Sequence, residues 1–120
     1  MKDLIGKELS KFSMPVFINE PSSLLMKPAE FSFYTNYLTK AAAHNDPVNR
    51  MVYVATSMLS GYFTVPNRMG KPFNPLLGET YELVAPDFRY FSEQVSHHPP
   101  IACYNLEGLN FEVQRQFETG

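Results

Sequence analysis

The sequence predicts an α+β fold in which helices come first and antiparallel strands follow. Three observations carry this. Apolar residues recur at helical spacing as far as Phe63, and they turn strand-like from Tyr81 onward. Between the two regimes, Pro66, Gly70, Pro72 and Pro75 forbid any long helix. The chain has 120 residues, about one domain by length. Of these 44% are hydrophobic, 14% aromatic and only 18% charged, so there is ample apolar surface to bury and disorder is not expected. Ten Lys plus Arg against twelve Asp plus Glu give a net charge of −2, without the strongly basic face of a dedicated nucleic-acid binder. The lone cysteine, Cys103, excludes an internal disulfide and fits a reducing compartment.

Residues 1–12 set Leu4, Ile5, Leu9 and Phe12 close to one helical face, among Lys2, Asp3, Lys7, Glu8 and Lys11. Such a segment either packs as a short helix on its own domain or works as an amphipathic flap that moves or touches a membrane. It lacks the continuous apolar core of a signal peptide. Lys2 stands where myristoylation needs glycine. No stretch approaches the roughly twenty apolar residues that span a bilayer. The expectation is a soluble, cytosolic protein that meets membranes only peripherally.

Ser13 to Pro21 holds two prolines and is expected to be extended. Residues 22–43 have helical character interrupted early. Pro28 suits a first helical position, followed by Phe31, Tyr34, Leu38 and Ala41 or Ala42 on one face. The second helix has the clearer signals: Asp46 as its cap and Pro47 in its first turn. Val48, Met51, Val52, Ala55, Met58, Leu59 and Tyr62 then recur at helical spacing. Met51, Met58 and Met69 read as gap-filling core residues, with a Met-lined ligand cavity as the alternative.

Four short strands are predicted at Tyr81–Val84, Phe88–Val95, Ile101–Leu106 and Phe111–Phe117. Ala85-Pro86-Asp87, Pro99-Pro100 and Glu107-Gly108 mark the turns, too short for anything but antiparallel pairing. The last strand leaves an uncovered edge. Either these strands complete a sheet with another chain, or they belong to a longer sequence.

Two segments carry chemistry. In Gly70-Lys71-Pro72-Phe73-Asn74-Pro75-Leu76-Leu77-Gly78-Glu79, prolines and glycines constrain the backbone around one cation, Lys71, and one amide, Asn74. A rigid loop presenting those donors suits a phosphate or polyol, since little entropy remains to be lost on binding. Alternatively it is a hairpin corner with a solvated lysine. In Glu93-Gln94-Val95-Ser96-His97-His98-Pro99-Pro100, adjacent strand histidines point to opposite faces and share a target only if the backbone bends. Pro99-Pro100 can supply that bend; otherwise the pair merely ends a strand. Histidines donate to phosphate oxygens, more strongly when protonated. Lys71, Asn74, His97 and His98 together form a candidate anion-headgroup site. A zinc site from Cys103 and His44 matches no structural-zinc spacing. An esterase using Ser96 or Cys103 lacks a nucleophile elbow and an oxyanion loop.

EQVSHHPP (93–100) resembles the signature of the oxysterol-binding protein family. KPFNPLLGETYEL (71–83), IGKELSKFSMPVFINEPSSLL (5–25) and DPVNRMVYVA (46–55) resemble the same family in the same order. The resemblance covers nearly the whole chain and is weakest around residues 27–45 and after 105. It implies a large incomplete antiparallel β-barrel enclosing one lipid in a tunnel, closed by an N-terminal lid. It implies non-vesicular exchange of a sterol or phosphatidylserine for phosphatidylinositol 4-phosphate between membranes, without catalysis or cofactor. The setting would be the cytoplasm, with transient attachment at contacts between the endoplasmic reticulum and a partner organelle. The family's headgroup contacts fall on Lys71, Asn74, His97 and His98. Its lid falls on residues 1–18, with Leu4, Ile5 and Leu9, its helical layer on 22–65, and its headgroup loops and first strands on 66–120. Tyr62 falls at a tunnel-facing aromatic.

Two departures stand out. The family's domain is much longer, and its later strands and C-terminal Lys, Glu and Arg contacts have no counterpart among these residues, so 1–120 reads as part of one domain. Lys27-Pro28 interrupts a helix that relatives usually continue, and Gly61 stands where some sterol binders carry a polar side chain. The alternative is a truncated fragment or interaction module that transfers nothing.

Overall fold

A computed structural model describes residues 15–64 and 70–118. The predicted helix over 1–12, with Leu4, Ile5 and Leu9, lies outside these residues, as does Met69. The first half is helical, as expected, but less of it is α-helix. Short 3-10 turns at Val16–Ile18 and Leu24–Met26 flank strand β1 (Asn19–Ser23). A longer 3-10 segment, Pro28–Tyr34, leads into α1 (Thr35–Ala43), and α2 spans Pro47–Ser60. The 3-10 geometry delays the α-helix expected within 22–43 until Thr35. Ala29, Ser32 and Thr35 are all buried, one every third residue, which is the 3-10 repeat and not the α repeat. Pro28 begins this segment at its first position. Lys27, just before it, forms ion pairs with Glu20 of β1 and with Glu30.

α2 starts as the sequence predicts, with Asp46 Oδ2 accepting the Asn49 N–H at 2.9 Å and Pro47 in the first turn. Its core assignment fails. Met51 is 67% and Met58 45% exposed, and Val48, Val52, Leu59, Tyr62 and Phe63 are exposed as well. The helix instead buries small residues, Ser57 and Ser60, followed by Gly61. Any Cβ on Gly61 would fall inside the Phe31 ring. Helical periodicity marks an apolar face but not what meets it, and α2 turns its small face inward.

The second half is a four-stranded antiparallel meander of β3 (Thr80–Val84), β4 (Phe88–His97), β5 (Pro100–Gly108) and β6 (Glu112–Glu118). Its strands match the predicted ones to within two residues at each end. A separate parallel pair joins β1 to β2 (Lys71–Phe73), with Asn19 opposite Lys71 and Ser23 opposite Phe73. On the sheet's inner face Ala29, Tyr90 and Leu106 form the buried cluster, flanked by Leu83, Phe88, Phe111 and Val113. One ring from each strand, Tyr81, Tyr90, Tyr104 and Phe117, continues a row with centroids 6.1, 5.5 and 6.3 Å apart. The Leu25 carbonyl, fully buried, accepts both Tyr90 Oη at 2.9 Å and Ser92 Oγ at 3.1 Å, which ties the N-terminal strap to β4.

The molecule is long, 61 × 28 × 23 Å. Its accessible surface is 8930 Å² for a mass of 13.7 kDa. A compact chain of that mass exposes about 6,600 Å².

Candidate functional site

β2 and the loop after it carry Lys71 and Asn74, both exposed. Three features hold them. Gly70 lets the chain run against β1, where any Cβ would crowd the backbone of Glu20 and Ile18. Pro75 is fully buried and anchors the loop. Gly78, with φ of 76°, supplies the left-handed turn before β3. Glu79 then closes the loop on itself: its Oε2 accepts the Leu76 N–H at 2.9 Å, and its Oε1 accepts Ser23 Oγ of β1 at 3.2 Å.

The same loop is sewn to the end of β4. The Gly78 N–H donates to the Gln94 carbonyl at 2.8 Å, and the Gln94 N–H donates to the Glu79 carbonyl at 3.0 Å. Three residues further along β4 stands His97, with His98 in the turn that follows. The bend expected there is present. The β4–β5 register slips between Gln94 and Ser96, a β-bulge, and a two-residue connection with a cis His98–Pro99 bond leads to Pro100 opposite His97. The two imidazoles lie with centroids 4.5 Å apart, so they share one surface instead of opposite faces. Both are exposed. The structure thus joins the Lys71–Asn74 loop and the His97–His98 turn through one junction, Glu79 with Gln94. The arrangement offers an ammonium, an amide and two imidazoles to solvent on well-bonded backbone, a donor set suited to a phosphorylated polyol.

Sequence reasoning gave Glu79 and Gln94 no role. The signal available was their place at the ends of the two chemistry-bearing segments. Among the described residues there is no group of three or more His, Cys, Asp or Glu that could hold a metal ion. Cys103 is half-buried on β5. Tyr62 follows α2 and is 71% exposed.

A second feature is apolar. A cavity of about 160 Å³ lies between the helices and the inner face of the sheet, lined by Phe31, Leu38, Met58, Leu106, Val113 and Arg115 among others. Arg115 Nη2 approaches Met58 Sδ to 3.6 Å across it. Phe31 reaches this space because Gly61 offers no side chain to exclude it.

The family model described as oxysterol-binding protein matches residues 1–119. The chain belongs to the oxysterol-binding protein family. It is 53% identical over 112 residues to oxysterol-binding protein-related protein 1 of Homo sapiens, which covers 92% of this chain and 12% of that protein. It is 49% identical over 112 residues to related protein 2 of Mus musculus, covering 92% of this chain and 23% of that one. Among solved structures, the Osh3 ORD in complex with PI(4)P from Saccharomyces cerevisiae matches with a TM-score of 0.84 at 36% identity, covering 98% of this chain and 32% of that one. The Osh1 ORD domain in complex with ergosterol matches with a TM-score of 0.78 at 45% identity, covering 89% and 26%. The chain therefore spans under a third of these two solved domains and under a quarter of the two curated relatives. These likenesses bear out the α+β fold, with the helices and antiparallel strands of the oxysterol-binding protein family's incomplete barrel. Among the described residues, no helix is long and apolar enough to cross a membrane.

Proposed function

We propose that this chain supplies the helical layer, first strands and half the headgroup site of a lipid exchanger. Its cargo would be phosphatidylinositol 4-phosphate in exchange for a sterol or phosphatidylserine. One observation carries the reading: the loop with Lys71 and Asn74 and the turn with His97 and His98 are bonded together through Glu79 and Gln94. Solved relatives bound to PI(4)P and to ergosterol supply the two lipid classes. In this reading Lys71, Asn74, His97 and His98 hold the phosphorylated headgroup, and the apolar cavity beside Phe31 and Leu38 is part of the wall that shelters the lipid body. Residues 1–18, with Leu4, Ile5 and Leu9, act as the lid over the lipid, and Tyr62 faces the tunnel. No catalysis and no cofactor take part. The protein works in the cytoplasm and touches membranes transiently where the endoplasmic reticulum meets a partner organelle.

The test is flotation of the chain with phosphatidylcholine vesicles, with and without phosphatidylinositol 4-phosphate. Binding that requires the phosphoinositide and disappears in a Lys71→Ala, His97→Ala, His98→Ala variant supports the site. Phosphoinositide-dependent binding that survives in that variant refutes it. A second reading, an interaction module that transfers no lipid, is favoured by the outward apolar face of α2. Vesicle-to-vesicle transfer of a fluorescent sterol separates the two: the exchanger moves it, the module does not.

A further inference from the structure

We propose that Gln94 is a positioning residue that holds the bulge on which His97 and His98 stand; the proposal rests on the headgroup reading above. Tyr90, Ser92 and Gln94 occupy successive inward positions of β4, and all three are buried, Gln94 completely. A glutamine with no exposed surface is costly unless its amide is bonded. Gln94 Nε2 donates to the Ser96 carbonyl at 2.8 Å, while its Oε1 meets no donor among the described residues. Among the described residues, the bond the side chain makes therefore reaches along its own strand, across the register slip.

A bulge disrupts the ladder locally and bends the strand. Gln94 gives the carbonyl just past the extra residue a buried donor. The register shows what that accomplishes. Gln94 pairs with Ala102, Ser96 with Ile101 and His97 with Pro100, so β4 spends three steps where β5 spends two. That extra step brings His97 back to the face parity of Gln94. An unbulged strand would give it the opposite parity, because a one-residue slip exchanges faces. His98 follows at once in the turn, and the rings meet at 4.5 Å. The backbone of Gln94 meanwhile bonds to Gly78 and Glu79. One residue thus fixes the histidine pair with its side chain and the Lys71–Asn74 loop with its main chain.

The experiment uses the isotope-labelled 120-residue chain and its Gln94→Met variant, which keeps the side-chain length and removes the donor. In the unaltered chain, nuclear Overhauser effects link the His97 and His98 ring protons, and one Gln94 carboxamide proton exchanges slowly with solvent. In the variant the Overhauser effects between the rings vanish, and affinity for phosphatidylcholine vesicles carrying phosphatidylinositol 4-phosphate falls about tenfold, as expected for one net hydrogen bond. A folded variant that keeps those effects overturns the proposal. If the variant does not fold, the exchange rate decides: slow exchange supports the clamp, and exchange at the rate of a free amide overturns it. Histidine rings that separate in the Gln94→Met variant, together with phosphoinositide-dependent binding that survives Lys71→Ala, His97→Ala, His98→Ala, would support the clamp and refute the headgroup reading alone.

Discussion

The two hydrogen bonds onto the Leu25 carbonyl make a quantitative prediction about how the segment around Leu25 is held. Tyr90 Oη and Ser92 Oγ both reach this one buried oxygen, at 2.9 and 3.1 Å. Tyr90→Phe removes one donor and leaves the other, so the oxygen stays satisfied and the loss is about 1 kcal/mol. Ser92→Ala leaves Tyr90 in place and costs about the same. The pair together strands a carbonyl with no access to water, adding a further desolvation penalty of about 1–3 kcal/mol. The double variant should therefore lose more than the sum of the singles by about 1–3 kcal/mol, a coupling typical of residues sharing one partner. Urea denaturation of the four proteins measures this, with an unchanged slope showing that the midpoint shift is stability alone. Strict additivity, or a double variant no weaker than Tyr90→Phe, would refute the shared-acceptor reasoning.

Two further outcomes follow from the same structure. Burial raises the phenol pKa of Tyr90, and of Tyr104, above the ordinary 10.0. A folded-state value above the unfolded one contributes stability that is complete below pH 10 and is lost as pH rises beyond it, when only the unfolded chain ionises readily. Urea midpoints should thus hold steady up to about pH 9.5 and fall above it. Tyr104→Phe should flatten that decline; an unchanged slope would count against the burial argument. At α2, Asp46→Ala removes the cap on Asn49 N–H and should cost about 1 kcal/mol, while Asp46→Asn keeps most of it. Thermal melts followed by circular dichroism distinguish the two.

Local signals were the legible ones. Asp46-Pro47 marked the start of α2, and the turns at Ala85-Pro86-Asp87 and Pro99-Pro100 marked the strand ends, because caps and turns depend on residues within a few positions. The constrained loop and the bend that carry the candidate residues were legible for the same reason: Pro72, Pro75 and Gly78 constrain their own neighbours, and Pro99-Pro100 announces a bend beside the histidines. What was not legible depended on distant partners. Glu79 acquires its role from Ser23, 56 positions away, and Gln94 from a register slip that only pairing with β5 defines. The outward face of α2 failed for the converse reason. Its pattern says that an apolar partner is wanted, and nothing local says whether these residues provide it. The 3-10 stretch after Pro28 fell between, since its three-residue burial repeat appears only once the sheet is beneath it.

The parallel pairing of β1 with β2 has a consequence for the order of assembly. The four strands of the meander join neighbours across connections of a few residues, whereas Lys71 pairs with Asn19 about fifty residues earlier. The length-dependent entropy of closing such a loop is about 3.5 kcal/mol, against about 1 kcal/mol for a three-residue turn. The histidine turn can therefore form early, within the β4–β5 hairpin. The lysine must wait until the strap, the 3-10 segment and both helices have brought β1 alongside. A refolding chain would hold the histidine half of this candidate surface before the lysine half arrives, and all four donors would stand together only in the finished fold.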